Sequence, residues 1–476
     1  MKIALLRLPL GKGITGVEPG GYVTSMLYFQ WLTRYPPMGL LYYASLLKKA
    51  GHTVRVIDSE MNGSSLRKIS RTIKEFGPQV VCSSINVFSP ASEFSALKKL
   101  KDAFKFTLIC RGHFPRIYPE ETIQNSHVDF ALTGKGLFSI PLLVNAIEQK
   151  KDTGNIPGII YKQGRQIIRT AEEPLVDLNA LPFPARELID NRIYTTALTT
   201  ADRFTTVIGS LGCPYQCTYC QEKNAPYQTR DVNNIVAEIV ECKRKFGINE
   251  LFFLDPIFTV DRARTMDFCA KLNKSGVRMK WVMRTRADLV DEEMLSLLAG
   301  SGCVKIHYGI ESGNQRILDG LNRQITLGKV KETVKLTAKK HIAVFGYFMI
   351  GNTGETVESI QDTIAFARSL PLNFAQFMKV APIHYTDVHK RSLDKFKSDI
   401  WLEHYKGIPG SADKWKPQDT GLSTKELNAW IRRAYRGFYL RPGYLWRMLT
   451  FRYTPFYIIR QLKIAALLLR LRIAGR

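Results

Sequence analysis

The chain has 476 residues, 45% of them apolar, and its 68 Lys and Arg residues outnumber its 42 Asp and Glu residues to give a net charge of +26. This composition is typical of a globular protein of two or three domains and excludes a wholly disordered chain. The excess positive charge favours an anionic partner, which could be a nucleic acid, a membrane surface or an acidic small molecule.

No export signal or membrane-spanning helix is predicted. The first apolar run is short and is ended by the charged residue Arg7, so it predicts a buried strand and not a signal peptide. The apolar segment 456–473 is interrupted by four Arg and Lys residues, which excludes a span of about 18 uncharged residues. We therefore expect a cytoplasmic protein, with peripheral contact to the inner face of the membrane left open.

Residues 1–150 alternate between apolar runs and helical patterns. Strands are predicted over 2–8, 53–58, 80–85, 107–110 and 128–132, and helices over 37–50, 64–76, 92–105, 119–125 and 140–150. This alternation predicts an α/β domain with a doubly wound, Rossmann-like parallel sheet that binds ligands at the carboxyl ends of its strands. Residues 151–197 are predicted to be a linker with a hairpin-like piece at 158–170, because prolines interrupt both helix and strand patterns.

The alternation resumes over residues 198–395. Strands are predicted over 205–210, 250–254, 280–284, 304–309, 344–350 and 374–380, with helices over 234–246, 262–275, 291–300, 327–341 and 356–370. Six βα units predict a partial (β/α)6 barrel, whose active site belongs at the carboxyl ends of its strands. Residues 396–476 carry no strand pattern and predict a basic helical region.

Three cysteines follow the first strand of the predicted barrel on one tight loop. Cys213, Cys217 and Cys220 have a spacing that can hold three irons of a four-iron, four-sulfur cluster and leave the fourth iron without a protein ligand. Two alternatives are a zinc site, for which no fourth Cys or His lies nearby in the sequence, and a redox pair of the last two cysteines. The position at a strand end favours the cluster.

With an aromatic residue before its last cysteine, this loop resembles the signature of the radical S-adenosylmethionine (SAM) enzymes. Segments 251–258, 281–288, 308–313 and 346–355 resemble later strands of that family in the same order. The resemblance implies that the open iron binds SAM, which one electron splits to a 5′-deoxyadenosyl radical. It also implies a set of SAM-binding residues: Tyr219, Arg284, Glu311, Ser312, Ile350 and Gly351. Alternatively, Glu311 is a buried partner of Arg284 or Arg286, and Gly351 is only a turn residue.

Residues 35–44 and 51–58 resemble the cobalamin-binding domain that precedes the barrel in one subgroup of this family, which includes anaerobic oxidative cyclases and class B methyltransferases. The resemblance implies that cobalamin lies against small residues and strand ends: Ser83, Ser84, Gly112, His113 and Gly134. The sequence departs from the pattern in having Arg111 and Lys135 where small and acidic residues are usual, and in lacking an Asp-x-His-x-x-Gly motif. The alternative is a doubly wound domain that has lost or changed its ligand.

The last fifty residues, 427–476, contain eleven Arg and Lys residues and no Asp or Glu, with aromatic residues interleaved. They predict either a helical cap on the barrel or an amphipathic surface on anionic lipid. Nucleic acid ranks last because the sequence contains no recognisable nucleic-acid-binding module.

Taken together, the resemblance implies a cobalamin-dependent radical SAM enzyme that methylates an unactivated carbon of a small-molecule or lipid-like substrate. It would receive electrons from a donor such as flavodoxin or ferredoxin. The alternatives are an oxidative cyclase or rearrangement enzyme without methyl transfer and, ranked lower, a tRNA-modifying enzyme of the same superfamily.

Overall fold

The structure, a computed structural model, describes residues 1–9, 35–59, 65–196, 199–408, 411 and 420–444. These residues fall into two units. The first ends at Ile193, and the second begins at Tyr194 and also includes Tyr35. Residues 445–476, which make up most of the last fifty residues, lie outside the described residues.

The first unit is built on a seven-stranded sheet in the order β2-β1-β3-β4-β5-β6-β7. Its strands are β1 (Lys2–Arg7), β2 (Thr53–Asp58), β3 (Val80–Ser84), β4 (Thr107–Arg111), β5 (Phe130–Leu132), β6 (Ile159–Gln163) and β7 (Gln166–Arg169). The first five are parallel. The order reverses between β1 and β3, which is the switch point where such sheets bind ligands. The predicted doubly wound sheet is confirmed.

The helices of this unit are α1 (Met38–Lys49), α2 (Leu66–Phe76), α3 (Pro90–Ala103), α4 (His113–Ile117), α5 (Pro119–Gln124) and α6 (Ser139–Gln149). Local sequence explains their ends. The Ser65 side chain accepts a hydrogen bond from the N–H of Lys68 at the start of α2, and Gly77 ends that helix with φ of 61°. Apolar side chains of the strands and helices, such as Leu5 of β1 and Tyr43 of α1, are fully buried in the core of this unit.

Residues 151–193 differ from the predicted linker because they belong to the first unit. β5 has only three residues, and β6 pairs with it antiparallel while β7 completes a hairpin at the sheet edge. The proline-containing segment then packs on α1, where the N–H of Ala185 donates a hydrogen bond to the carbonyl of Leu41 at 3.1 Å. Prolines exclude regular structure here but do not prevent packing.

The second unit contains a six-stranded parallel sheet in chain order, as predicted for the partial barrel. The strands of this unit are β8 (Phe204–Val207), β9 (Ser210–Leu211), β10 (Gln228–Thr229), β11 (Glu250–Phe253), β12 (Lys280–Thr285), β13 (Cys303–Glu311), β14 (Ala343–Ile350) and β15 (Phe374–Lys379). β9 and β10 form a separate antiparallel pair that brackets the cysteine loop.

The helices of the second unit are α7 (Val232–Phe246), α8 (Arg262–Lys274), α9 (Glu292–Gly300), α10 (Gln315–Gly320), α11 (Leu327–Lys339), α12 (Val357–Ser369), α13 (Asp387–Phe396), α14 (Ile400–Tyr405) and α15 (Thr424–Tyr439). Side chains of Phe253, Phe258, Phe268 and Trp281 form a buried aromatic cluster with neighbouring ring centroids 4.5 to 5.7 Å apart. The cluster packs β11 and β12 against α8.

α15 covers the edge strand β15. The Tyr439 hydroxyl donates to the carbonyl of Ala375 at 2.8 Å and accepts from the N–H of the same residue at 3.1 Å. These bonds occupy an edge that would otherwise be open to another strand. In residues 424–439 the helical cap is therefore the structure observed. Among the described residues, no helix is both long and apolar enough to cross a bilayer.

Candidate active site

The cysteine loop begins at a turn that only glycine fits well. Gly212 has φ of 72°, and a Cβ added there would lie 2.0 Å from the carbonyl oxygen of Pro226. Two later segments hold the loop: the N–H of Thr218 donates to the carbonyl of Leu321 at 3.2 Å, and the N–H of Asp387 donates to the carbonyl of Thr218 at 2.9 Å. The loop is thus fixed by segments from distant parts of the chain.

The three cysteines of the loop are available as ligands. Cys213 and Cys217 are buried, Cys220 is half-buried, and none forms a disulfide. Cys217 raises the pKa of both other thiols, so the three sulfurs lie near one another on the loop. Three cysteines on one loop can each bind a different iron of a four-iron, four-sulfur cluster.

Burial raises the pKa of the Cys213 thiol and raises that of Cys220 to about 11, and the neighbouring thiols add to both shifts. At neutral pH the free loop therefore holds these two cysteines as thiols. Iron must displace their protons, so loading with iron should release protons and become easier as the pH rises.

A buried network of charged and polar side chains connects this loop to β13. Arg323 is 4% exposed, and its Nη1 lies 3.5 Å from the sulfur of Cys217, while its Nη2 donates to the carbonyl of Gly309. The Tyr219 hydroxyl forms a hydrogen bond with the carboxylate of Glu311, which also interacts with Arg323. Two residues predicted to contact SAM, Tyr219 and Glu311, are thereby brought together beside the cysteine loop.

Glu311 has an unusual backbone conformation. Its φ is 68°, at a point where the β13–β14 register shifts. Positive φ is uncommon for a residue other than glycine and is found preferentially at functional sites. Burial raises the pKa of the Glu311 carboxyl, although Arg323, the Tyr219 hydrogen bond and Arg286 act in the opposite direction. The absence of a side chain at Gly309 leaves room for the carboxylate, because a Cβ there would lie 2.5 Å from Glu311 Oε1.

Arg284, on β12, and Arg286, in the turn after it, contact different groups. Arg286 pairs with Asp288 through two bonds of 3.0 and 2.9 Å, stacks 4.1 Å from the Tyr215 ring centroid, and leaves its Nη1 without a hydrogen-bond partner. Arg284, predicted to contact SAM, lies over the Phe252 ring and donates to the carbonyl of Leu254 at 2.6 Å. Of these two, only Arg286 acts on the Glu311 carboxyl.

Three other predicted SAM contacts are already bonded within the chain. The Ser312 hydroxyl lies 3.1 Å from the Thr363 hydroxyl. The carbonyl of Ile350 accepts from the N–H of Val380 at 2.9 Å, and the N–H of Gly351 donates to Glu355 Oε2 at 2.5 Å. Their role in SAM binding stays a prediction.

The turn after β14 nevertheless offers free acceptors. Glu355 Oε2 accepts from the N–H groups of Gly351 and Asn352, but Glu355 Oε1 and Asn352 Oδ1 are buried without a hydrogen-bond partner. Unpaired buried acceptors are rare and indicate a missing partner. These two acceptors fit a ligand that carries hydrogen-bond donors, as SAM does.

The pH dependence of stability should reveal the burial of Glu355. Burial raises its pKa from 4.5 to about 7, so its contribution to folding is full below about pH 4.5 and is lost as the pH rises through 7. Relative to Glu355→Gln, the free energy of unfolding of the wild type should fall by up to about 3 kcal/mol between pH 5 and 8 in urea titrations. The exposed Glu358→Gln should show no such trend, and a pH-independent difference for Glu355→Gln would contradict the prediction.

In the first unit, the residues predicted for cobalamin lie at the carboxyl ends of the strands. Ser83 and Ser84 end β3, while Gly112 and the exposed His113 follow β4. Gly112 has φ of 113°, and a Cβ there would lie 2.5 Å from the carbonyl oxygen of Ile85. Its small size is thus required by the local backbone.

The Arg111 side chain lies against the chain itself. Its Nη1 donates to the Ser84 hydroxyl at 3.1 Å, and its guanidinium lies 4.7 Å from the Tyr43 ring centroid. Three polar atoms near these strand ends are buried without a hydrogen-bond partner: Ser59 Oγ, Ser83 Oγ and Arg111 Nε. The edge therefore fits a ligand rich in hydrogen-bonding groups, such as a corrin with its amide side chains.

Backbone N–H groups that follow Gly134 donate hydrogen bonds to a carboxylate from another segment of the chain. Glu173 accepts hydrogen bonds from the N–H groups of Gly136 at 2.7 Å and Phe138 at 2.8 Å, at the start of α6. A Cβ on Gly134 would lie 2.4 Å from Glu173 Oε2. A carboxylate at a helix N-terminus is favourable, so Glu173 supplies a negative charge that the Lys135 turn lacks.

Comparison with known proteins agrees with this geometry. The family model described as the radical SAM superfamily matches residues 207–367, which include the cysteine loop and Glu311. Residues 207–367 form a radical SAM domain. The predicted radical SAM enzyme is thereby confirmed, and with it the use of a four-iron, four-sulfur cluster and SAM.

Proteins similar over most of the chain have related names. An uncharacterized methyltransferase of Pyrococcus horikoshii is 26% identical over 421 residues, covering 86% of this chain and 89% of the relative. The anaerobic magnesium-protoporphyrin IX monomethyl ester cyclase of Cereibacter sphaeroides is 25% identical, covering 88% and 70%. The solved radical SAM methyltransferase TsrM of Kitasatospora setae, with cobalamin and a [4Fe-4S] cluster bound, has a TM-score of 0.63 at 17% identity, covering 82% and 78%. This last similarity confirms the predicted fold.

Proposed function

We propose that this radical SAM enzyme is cobalamin-dependent and methylates an unactivated carbon of a small-molecule or lipid-like substrate. The observation that carries the proposal is the first unit: a doubly wound sheet with unpaired, buried polar atoms at its carboxyl edge, in the same chain as a radical SAM domain. The names of the similar methyltransferases and the cobalamin bound in the Kitasatospora protein support it.

The cofactors supply the difficult chemistry: when bound, the cluster and SAM provide a radical that removes hydrogen from carbon, and cobalamin provides a methyl group. The chain holds and orients these groups. Cys213, Cys217 and Cys220 would bind the cluster, while Tyr219 and Glu311 would orient SAM. In the first unit Ser83, Ser84, Gly112, His113 and Gly134 would border cobalamin, with Arg111 Nε available to one of its amide oxygens.

An oxidative cyclase is the second candidate, and the similar cyclase of Cereibacter sphaeroides is the observation that favours it. The two reactions differ in their SAM products. Methylation of an unactivated carbon leaves both 5′-deoxyadenosine, from the radical that removes hydrogen, and S-adenosylhomocysteine, from the SAM that supplies the methyl group, whereas oxidation without methyl transfer leaves 5′-deoxyadenosine alone. The ratio of these two products therefore distinguishes the candidates.

The test is anaerobic purification with cobalamin supplied, followed by corrin quantitation and product analysis after reduction. We expect about one corrin per chain, bound at the carboxyl edge of the sheet, and formation of S-adenosylhomocysteine. Ser84→Trp should remove the corrin by filling this edge, and Thr53→Trp, at the opposite end of the sheet, should retain it. Corrin content at background in the wild type would overturn cobalamin dependence, and 5′-deoxyadenosine without S-adenosylhomocysteine would favour the cyclase.

We also propose that electrons come from a flavodoxin or ferredoxin and that the basic C-terminal region contacts anionic membranes. Arg432, Arg433 and Arg436 are exposed on α15, and further Arg and Lys residues follow in 445–476. Basic side chains beside apolar bulk favour anionic lipid. Salt-sensitive sedimentation of the full chain with phosphatidylserine vesicles, but not with phosphatidylcholine vesicles, is the expected result, and equal sedimentation would contradict lipid contact.

A further inference from the structure

We infer that His384, His389 and Asp399 form a binding site for a divalent transition-metal ion of the zinc class, separate from the cysteine loop. One ligand atom from each residue lies within 4.8 Å of the other two. The residues come from three successive segments: the turn after β15, the first turn of α13, and the residue that precedes α14. Two imidazoles and one carboxylate are a ligand set that such ions prefer.

The distances suit ligands that share an ion. His384 Nε2 lies 3.8 Å from Asp399 Oδ2, and His389 Nε2 lies 3.8 Å from Asp399 Oδ1. Both separations are too long for a hydrogen bond. Two atoms bonded to one tetrahedral zinc ion at about 2.0 to 2.2 Å lie about 3.4 Å apart. A shift of a few tenths of an ångström on each side would complete the site.

An unpaired nitrogen independently points to a ligand. His389 is 9% exposed, and its Nε2 has no hydrogen-bond partner among the described residues. The N–H of its backbone donates to the Thr386 hydroxyl at 3.1 Å, so the residue itself is well anchored. An orphaned, buried imidazole nitrogen is costly. A metal cation coordinated by the lone pair of this nitrogen would give it the partner that it lacks.

Neighbouring contacts hold the other two ligands. The His384 ring packs 5.3 Å from the Trp401 ring, and the indole N–H donates to the carbonyl of Pro382 at 2.7 Å. Asp399 Oδ1 accepts from the N–H groups of Trp401 at 2.9 Å and Leu402 at 3.3 Å. These bonds orient the carboxylate. The Asp399 side chain is 21% exposed, which gives an ion a route from solvent.

The site would brace the cysteine loop. Between the two histidines lies Asp387, whose N–H donates to the carbonyl of Thr218 and whose carboxylate pairs with Lys223 at 2.8 Å. An ion bound to His384 and His389 would fix the segment that makes both contacts. The inferred role is therefore structural, and it does not depend on which reaction the enzyme catalyses.

The test uses the full chain with its iron–sulfur cluster reconstituted, dialysed anaerobically against buffered Zn²⁺ and analysed for zinc and iron by mass spectrometry. We expect about one zinc per chain in addition to the iron, and about tenfold less zinc in His389→Gln and Asp399→Asn. His404→Gln, which changes a histidine on α14 outside the trio, is the matched control and should retain the zinc.

X-ray absorption at the zinc edge of the wild-type protein tests the site without any substitution. We expect a nitrogen and oxygen shell with two imidazoles and no sulfur. Zinc content at background in the wild type, unchanged zinc in both variants, or a sulfur shell near 2.3 Å would each overturn the inference. Far-ultraviolet circular dichroism equal to that of the wild type shows that a loss of zinc in the variants is not a loss of fold.

Discussion

Replacing Cys213, Cys217 and Cys220 together with Ala should reduce the iron content from about four per chain to background and abolish SAM cleavage. The three thiols are the cysteines that the fold brings together at the barrel strand ends, and none has a disulfide partner. No open iron can bind SAM if the irons have no ligands. Anaerobic reconstitution, followed by iron and sulfide quantitation and chromatography of 5′-deoxyadenosine, measures both effects.

Cys242→Ala is the matched control for this variant. Cys242 is fully buried in α7 and belongs to the hydrophobic core of the same unit. Its replacement should cost some stability through a small cavity and leave the iron content unchanged. Iron that survives in the triple variant would show that the cluster is bound elsewhere.

Much of the fold could be predicted because the determining signals are local. Short apolar runs separated by helical patterns give the parallel strands of both sheets, and the cysteine spacing marks the loop after β8. The hairpin β6–β7 was expected only as a hairpin-like piece in a linker. Its pairing with β5 depends on the open edge that a three-residue strand leaves, which is a tertiary property.

The candidate site was predicted in part for the same reason. Tyr219 and Glu311 belong to recognisable segments, and the structure joins them through a hydrogen bond. Arg323 was missed because nothing in its neighbourhood of the sequence marks it, and its contact with Cys217 spans 106 residues. Likewise, the Glu173 carboxylate accepts a hydrogen bond from the N–H of Gly136, although the two residues are 37 positions apart in the sequence. Contacts of this kind follow from chain topology and not from local pattern.

Arg323→Gln should leave the protein folded enough to bind iron but should strongly reduce SAM cleavage. Burial alone would lower the pKa of Arg323, but Tyr219, Glu311 and Cys217 raise it, so the side chain is a buried cation held by these groups. Its loss removes the cation whose charge acts most strongly on the Glu311 carboxyl. The pKa of Glu311, already raised by burial, should rise further, so that more of the carboxyl is protonated at neutral pH.

The variant also tests the electrostatics of the cysteine loop. A cation whose Nη1 lies 3.5 Å from Cys217 Sγ favours the electron-rich state of a cluster bound there. A unit positive charge several ångströms from the electron added to the cluster stabilises the reduced state by about 2 kcal/mol at an effective dielectric constant of about 20. This free energy corresponds to a midpoint potential that is higher by roughly 100 mV.

We therefore expect electron paramagnetic resonance titrations of Arg323→Gln to give a more negative midpoint potential than the wild type. Arg316→Gln, which removes an exposed arginine that donates to the carbonyl of Gly354 at 3.0 Å, should leave the potential unchanged. A purely structural role for Arg323 would lower iron content or melting temperature without moving the potential of the remaining cluster. A potential equal to that of the wild type would therefore contradict the assignment.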